Sequence, residues 1–136
     1  MRGPENAALL ILVTSVTALP STALAADSGD AARGERVFQR CYACHSVELD
    51  EGNLQGPNLY KVLGRPAAAV PGFDYSQAMK QKAAEGLVWD AATLDAYIAD
   101  PDAVVPGTRM TIPPVRNAQE RSDLIAYLAR SGRFQD

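Results

Sequence analysis

Histidine occurs once and cysteine twice in this 136-residue chain, and all three fall within residues 41–45. That scarcity excludes a structural zinc site, which takes four Cys or His ligands. Lysine is rare too, with three in the whole chain, and the basic residues are scattered through a sequence of formal net charge −3. Phosphate would repel such a molecule, so nucleic acid is not an expected partner. Long apolar runs are missing. The longest, residues 7–19, is about a dozen residues, against the ~20 needed to span a bilayer. Nothing alternates with the period of two that marks a strand, and there is no internal repeat or low-complexity segment.

The apolar run follows Arg2 and precedes Ala23-Leu24-Ala25, a small-x-small cleavage signal. Residues 1–25 are therefore expected to be a secretory signal peptide that is removed. Glu5 offsets Arg2, which leaves an uncleaved anchor open as the alternative, although no stable membrane anchor is expected. Residues 26–136, about 110 in number, make one domain. With 47% hydrophobic and 21% charged residues the composition is ordinary for a globular protein.

Cys41-Tyr42-Ala43-Cys44-His45 has the C-x-x-C-H order of a haem-attachment site. Two thiols three positions apart can add to the two vinyl groups of one haem, and the next residue then offers an imidazole beneath the ring. A thioredoxin-like dithiol, the remaining alternative, wants a strand-then-helix setting, whereas these flanks read as helical. A disulfide between Cys41 and Cys44 would close too short a loop to stabilise much. One covalently bound haem c per chain is expected. The tether suits a chain this short, which buries only a modest core of its own. Attachment after export fits a periplasmic protein, and it consumes both thiols, so no disulfide framework is expected.

The fold class is all-α. A first helix is expected over 31–44, capped by Asp30 or Ser28, with Gly34, Val37, Phe38 and Cys41 on one face. A second covers 90–100, capped by Asp90, burying Leu94, Tyr97 and Ile98 and ending at Pro101. A third follows Asn117, with Glu120 as a capping-box partner and Arg130 and Gly132 closing it. A short helix over 76–84 stops at Gly86. The connections 46–74 and 101–116, rich in Gly and Pro, are long for a helical domain unless a cofactor gives them something to pack against.

Together these features resemble a class I cytochrome c, close to exported bacterial carriers that are similar to the mitochondrial protein. The resemblance rests on Gly34 and Phe38 ahead of the attachment motif, then Gly56-Pro57-Asn58-Leu59, Gly64-Arg65, Pro71-Gly72-Phe73-Asp74-Tyr75, Trp89 and Pro101. It continues through Pro106-Gly107-Thr108-Arg109-Met110 and Asp123-Leu124-Ile125-Ala126-Tyr127-Leu128. It implies three main helices and a short one wrapped around one haem, with long ordered loops.

The resemblance makes His45 and Met110 the axial iron ligands. Of the two methionines beyond Met1, Met79 lies in a helical stretch, where methionine commonly fills core gaps. Met110 ends the irregular loop, where the residues alone also admit an ordinary loop methionine. Pro57 is implied to accept a hydrogen bond from His45, although a plain turn proline fits as well. Arg65, Tyr75 and Trp89 match positions around a buried haem propionate, and Trp89 also suits core packing. Tyr97 matches a position whose hydroxyl approaches the methionine sulfur, and it equally suits a buried helix face. Gly34, Phe38, Leu124 and Tyr127 resemble the crossing of the first and last helices.

Some features depart from the family. The stretch between Gly72 and Trp89 is slightly longer than in mitochondrial forms, Met79 stands where a polar residue is common, and Thr111-Ile112-Pro113-Pro114-Val115 replaces a segment that usually contains an aromatic. The lysine ring expected around the exposed haem edge is thin. Arg40, Arg109 and Arg116 fall at its basic positions, and Asp102 and Ala103 stand where lysines are common. A small basic docking spot is the resulting expectation, unless those arginines are ordinary solvated charges. The implied function is a soluble, monomeric one-electron carrier with no catalytic acid, base or nucleophile. Its donor would be a quinol-oxidising complex or dehydrogenase, and its acceptor an oxidase, reductase or photosynthetic reaction centre. The alternatives are a haem peroxidase or gas sensor with a displaceable Met110, or a fixed haem subunit of a larger oxidoreductase.

Overall fold

Each helix begins where a side chain meets an orphan backbone donor. The computed structural model describes Met1, Gly3 and residues 28–131, so the expected signal peptide, apart from Met1 and Gly3, lies outside the described residues. Helix α1 is Ala31–Phe38, α2 Gln77–Ala84, α3 Ala91–Ala99, α4 Pro101–Val104 and α5 Ala118–Arg130. Asp30 accepts from Arg33 N at 2.7 Å, Ser76 from Met79 N at 3.1 Å, and Asp90 from Thr93 N at 2.7 Å. Asn117 accepts from the amides of Gln119 and Glu120 at 2.8 and 3.1 Å. Such caps are each worth ~1 kcal/mol.

Two expectations are corrected here. The first helix stops at Phe38 instead of running to Cys44. The chain then coils into tighter turns, with Arg40 N on Val37 O, Cys41 N on Phe38 O and Cys44 N on Cys41 O. Pro101 ends α3, but it also opens a further short helix, α4. Asp100 caps α4 by accepting from Ala103 N, and proline suits the first helical position because its missing N–H is not needed there.

Helices α1 and α5 cross closely, as the positions of Gly34, Phe38, Leu124 and Tyr127 led us to expect. A Cβ on Gly34 would overlap the Asp123 carbonyl, and the Phe38 and Tyr127 rings lie 5.3 Å apart. The same crossing contains a buried carboxylate. Asp123 is 3% exposed and accepts from Asp30 N and Arg33 Nε at 2.7 Å, and from Arg33 Nη2 and Gln119 Nε2 at 2.9 Å. The hydrogen bonds from Arg33 are the main reason its carboxyl is held far below the usual range.

Among the described residues no strand forms, only an isolated antiparallel bridge between Pro66 and Val88. Its hydrogen bonds are Trp89 N to Arg65 O and Ala67 N to Leu87 O, and with Gly64 N donating to Trp89 O beside them they fix Trp89 against Arg65. The 46–74 loop is braced by Asn58. Its amide donates to Glu48 O at 2.8 Å and to Glu51 O, and its oxygen accepts from Tyr60 N at 2.7 Å. The core lies beneath these loops and between the helices, with Phe38, Val62, Val105, Val115 and Leu124 almost fully buried.

Candidate functional site

A cavity of about 710 Å³ is lined by both the attachment motif and the Met110 loop. That volume falls within the ~300–1,000 Å³ usual for sites of small molecules and cofactors. Cys41, Cys44, His45, Thr108 and Met110 all line it. Because α1 ends at Phe38, the turns after it carry both cysteines round to the cavity at intermediate burial. Burial pushes the Cys41 thiol pKa up.

His45 Nδ1 lies 2.7 Å from the Pro57 carbonyl oxygen. A carbonyl only accepts, so Nδ1 carries the proton and Nε2 keeps its lone pair. Burial lowers the pKa of His45, which favours this neutral ring. Close packing fixes the ring further, because a Cβ on Gly56 would overlap the imidazole. The tautomer is the one a metal-ligating histidine needs, with its second nitrogen held by a backbone acceptor.

Met110, also in the lining, sits at the end of a loop with several anchors. The Tyr97 and Thr108 hydroxyls are 2.7 Å apart, and Thr108 Oγ1 also accepts the Met110 N–H at 3.2 Å. Gly107 N donates to Asp102 Oδ1 at 2.9 Å. Arg109 donates to the Asp74 backbone carbonyl. Thr108 was not singled out in the sequence. Only its place in the Pro-Gly-Thr-Arg-Met block pointed to it.

Arg65, Tyr75 and Trp89 all line the cavity. Arg65 donates to the carbonyls of Tyr60 and Asn58, both at 3.0 Å, which locks the guanidinium in place. The Tyr75 hydroxyl accepts from Val70 N at 3.3 Å, and burial pushes its pKa up. Trp89 stacks at a tilt on Tyr97 with ring centroids 4.9 Å apart. Met79, 8% exposed, also reaches the cavity, so it packs beside the site as well as filling core. Among the described residues no three His, Cys, Asp or Glu side chains gather into another metal site.

Residues 31–131 match the model of the cytochrome c family. This chain belongs to that family. It is 46% identical over 112 residues to cytochrome c2 of Rhodomicrobium vannielii, covering 82% of this chain and 87% of the relative. It is 45% identical over 101 residues to cytochrome c type-1 of Ascaris suum, covering 74% and 87%. Cytochrome c2 from Rhodospirillum centenum has a similar solved structure, with a TM-score of 0.72, 36% identity, and coverage of 76% of this chain and 98% of that one. This cytochrome c is of class I. It is a haem electron-transfer protein with haem c bound covalently at the Cys41, Cys44 and His45 motif.

The basic docking spot expected at the rim of this cytochrome c is not left as free charge. Arg40 pairs with Glu120 at 3.2 Å, and Arg109 lies 3.9 Å from the Asp74 carboxylate. Arg116 is exposed but does not line the cavity. Asp102, the residue standing in a lysine position, braces the Met110 loop instead.

Proposed function

We propose that His45 and Met110 are the axial iron ligands, and that the protein shuttles single electrons without performing catalysis of its own. The observation that carries this reading is the bond from His45 Nδ1 to Pro57 O, which reserves Nε2 for a metal. The bracing of the Met110 loop supports a second, permanent ligand rather than a displaceable one. The residue order of the N-terminus supports export to the periplasm after loss of residues 1–25. No helix among the described residues is long and apolar enough to cross a membrane. A monomer exchanging electrons with transient partners fits this reading. The donor is a quinol-oxidising complex or dehydrogenase, and the acceptor an oxidase, reductase or photosynthetic reaction centre.

Bound haem supplies a one-electron ferrous–ferric couple, and a thioether ligand favours its reduced form. The chain holds both ligands in fixed positions, so little rearranges when an electron arrives or leaves. Arg65 and Tyr75 offer a cation and a hydroxyl where a carboxylate is taken out of water, and a buried charge needs such partners. Trp89, Tyr97 and Met79 keep that wall largely apolar and exclude water.

The test is carbon monoxide added to the reduced holoprotein at neutral pH. No binding is expected. Rapid binding would reveal an open coordination position and make the protein a sensor or peroxidase. Purification at fixed stoichiometry with another polypeptide would make it a subunit of a larger oxidoreductase.

A further inference from the structure

Seven residues that line the haem cavity are also exposed at its mouth, and only Arg40, Asp74 and Arg109 among them are charged; the others are Leu54, Gln55, Gly72 and Thr111. Each rim cation is already committed within the chain. Glu120, at the start of α5, reaches back to Arg40 at 3.2 Å, and a second guanidinium nitrogen lies 3.4 Å from its other oxygen. Asp74 takes both Arg109 and Lys80, the latter at 3.2 Å. Three cations thus share two carboxylates, which leaves about one net charge over the whole rim. A paired charge acts at a distance as a dipole, whose field decays faster than that of a lone ion. Salt removes the remainder beyond ~8 Å at physiological ionic strength.

Beside this nearly neutral rim two large apolar side chains stand exposed. Tyr42 lies between the two cysteines and is 57% exposed, and Leu54 is 52% exposed. Both are large side chains that a monomer gains nothing by displaying. Tyr42 is held edge-on against Phe38, with ring centroids 6.5 Å apart, so it is presented as a pre-ordered aromatic surface. Ordered aromatics and a depletion of free charge are the marks of an interface centre.

We propose, resting on the carrier reading above, that this rim docks redox partners by an uncharged, apolar contact centred on Tyr42 and Leu54. The partner it fits is a redox protein whose own contact patch is apolar and lacks an acidic cluster. Encounter then depends little on long-range steering, and the contact is shed as easily as it forms.

Two small oxidants read the rim directly. Reduced holoprotein is mixed rapidly with hexacyanoferrate(III), an anion, or with tris(phenanthroline)cobalt(III), a cation whose ligands are flat aromatics. Ionic strength is raised from about 10 mM to about 150 mM, which shortens screening from ~30 Å to ~8 Å. Both rates are expected to change by less than about threefold, against the ~10-fold or more of a steered encounter. Asp74→Asn combined with Glu120→Gln frees the three cations, and the hexacyanoferrate rate should then rise at low salt and become salt-dependent. Tyr42→Ser should slow the phenanthroline complex several-fold and spare hexacyanoferrate. A wild-type rate that falls tenfold with salt for the anion shows a basic rim and overturns the proposal, as does an equal fall for the cation. A phenanthroline rate untouched by Tyr42→Ser overturns its apolar half. If neither oxidant takes a single electron reversibly from the holoprotein, the carrier reading fails instead.

Discussion

Tyr97 and Thr108 share a 2.7 Å hydroxyl contact, and through the same threonine oxygen Tyr97 is linked to the backbone of Met110. The proposed iron ligand is therefore positioned from α3, a helix whose own residues supply no ligand. Thr108→Val keeps the side-chain shape and removes both bonds. It should cost about 1–3 kcal/mol, the usual range for leaving buried partners unsatisfied. The reduced protein should also begin to bind carbon monoxide. Tyr97→Phe removes one bond and should be milder, at roughly 0.5–1.5 kcal/mol. Thermal unfolding and carbon monoxide titration of both variants check this ordering, and a Thr108→Val protein that neither softens nor binds the gas contradicts it.

Gly56 and His45 are packed so tightly that a methyl group on the glycine would occupy the imidazole's place. Gly56→Ala should push the ring from its Pro57 acceptor, destabilise the fold by about 1–3 kcal/mol as overpacking does, and lower the reduction potential. Potentiometry and denaturant unfolding measure both effects. A native potential in a fully stable variant would show that the ring has more room than the packing implies.

How far the sequence carried the account varied with the range of the interaction. The attachment motif, the Asp90 and Asn117 caps, Gly34 at the helix crossing and the place of Met110 were all legible, because each depends on neighbours a few residues away or on a family block. The end of α1 was not. Apolar spacing continues past Phe38 to Cys41 while the backbone has already tightened into turns. Helix α4 was hidden because Pro101 was read only as a stop, although proline is equally a helix opener. Val62, Val105 and Val115 form core from within loops, where no periodicity marks them. Glu120 was read only as a capping-box partner, and Asp123 and Asp74 only as members of family blocks. The partners of Asp123, Glu120 and Asp74, which are Arg33, Arg40 and Arg109, lie 90, 80 and 35 residues away, so only the folded chain pairs them.

Asp123 makes stability depend on acid. Its folded pKa is depressed, chiefly by Arg33, so its contribution is complete above the unfolded value of ~3.9 and is lost as pH falls from there toward the lower folded value. Asp123→Asn should lower the melting temperature at neutral pH and flatten its fall below about pH 4. Melting curves across the acid range read this out. An unchanged acid limb would mean that other carboxylates dominate.

The central claim is that Met110, rather than Met79, completes a six-coordinate His45-ligated site, although both thioethers line the cavity. The direct measurement is the near-infrared methionine–iron band of the oxidised holoprotein in wild type, Met110→Ala and Met79→Ala. The band should be present in wild type and in Met79→Ala. In Met110→Ala it should be absent, with haem still covalently bound and a lower potential. A band that survives Met110→Ala and disappears in Met79→Ala would contradict the account.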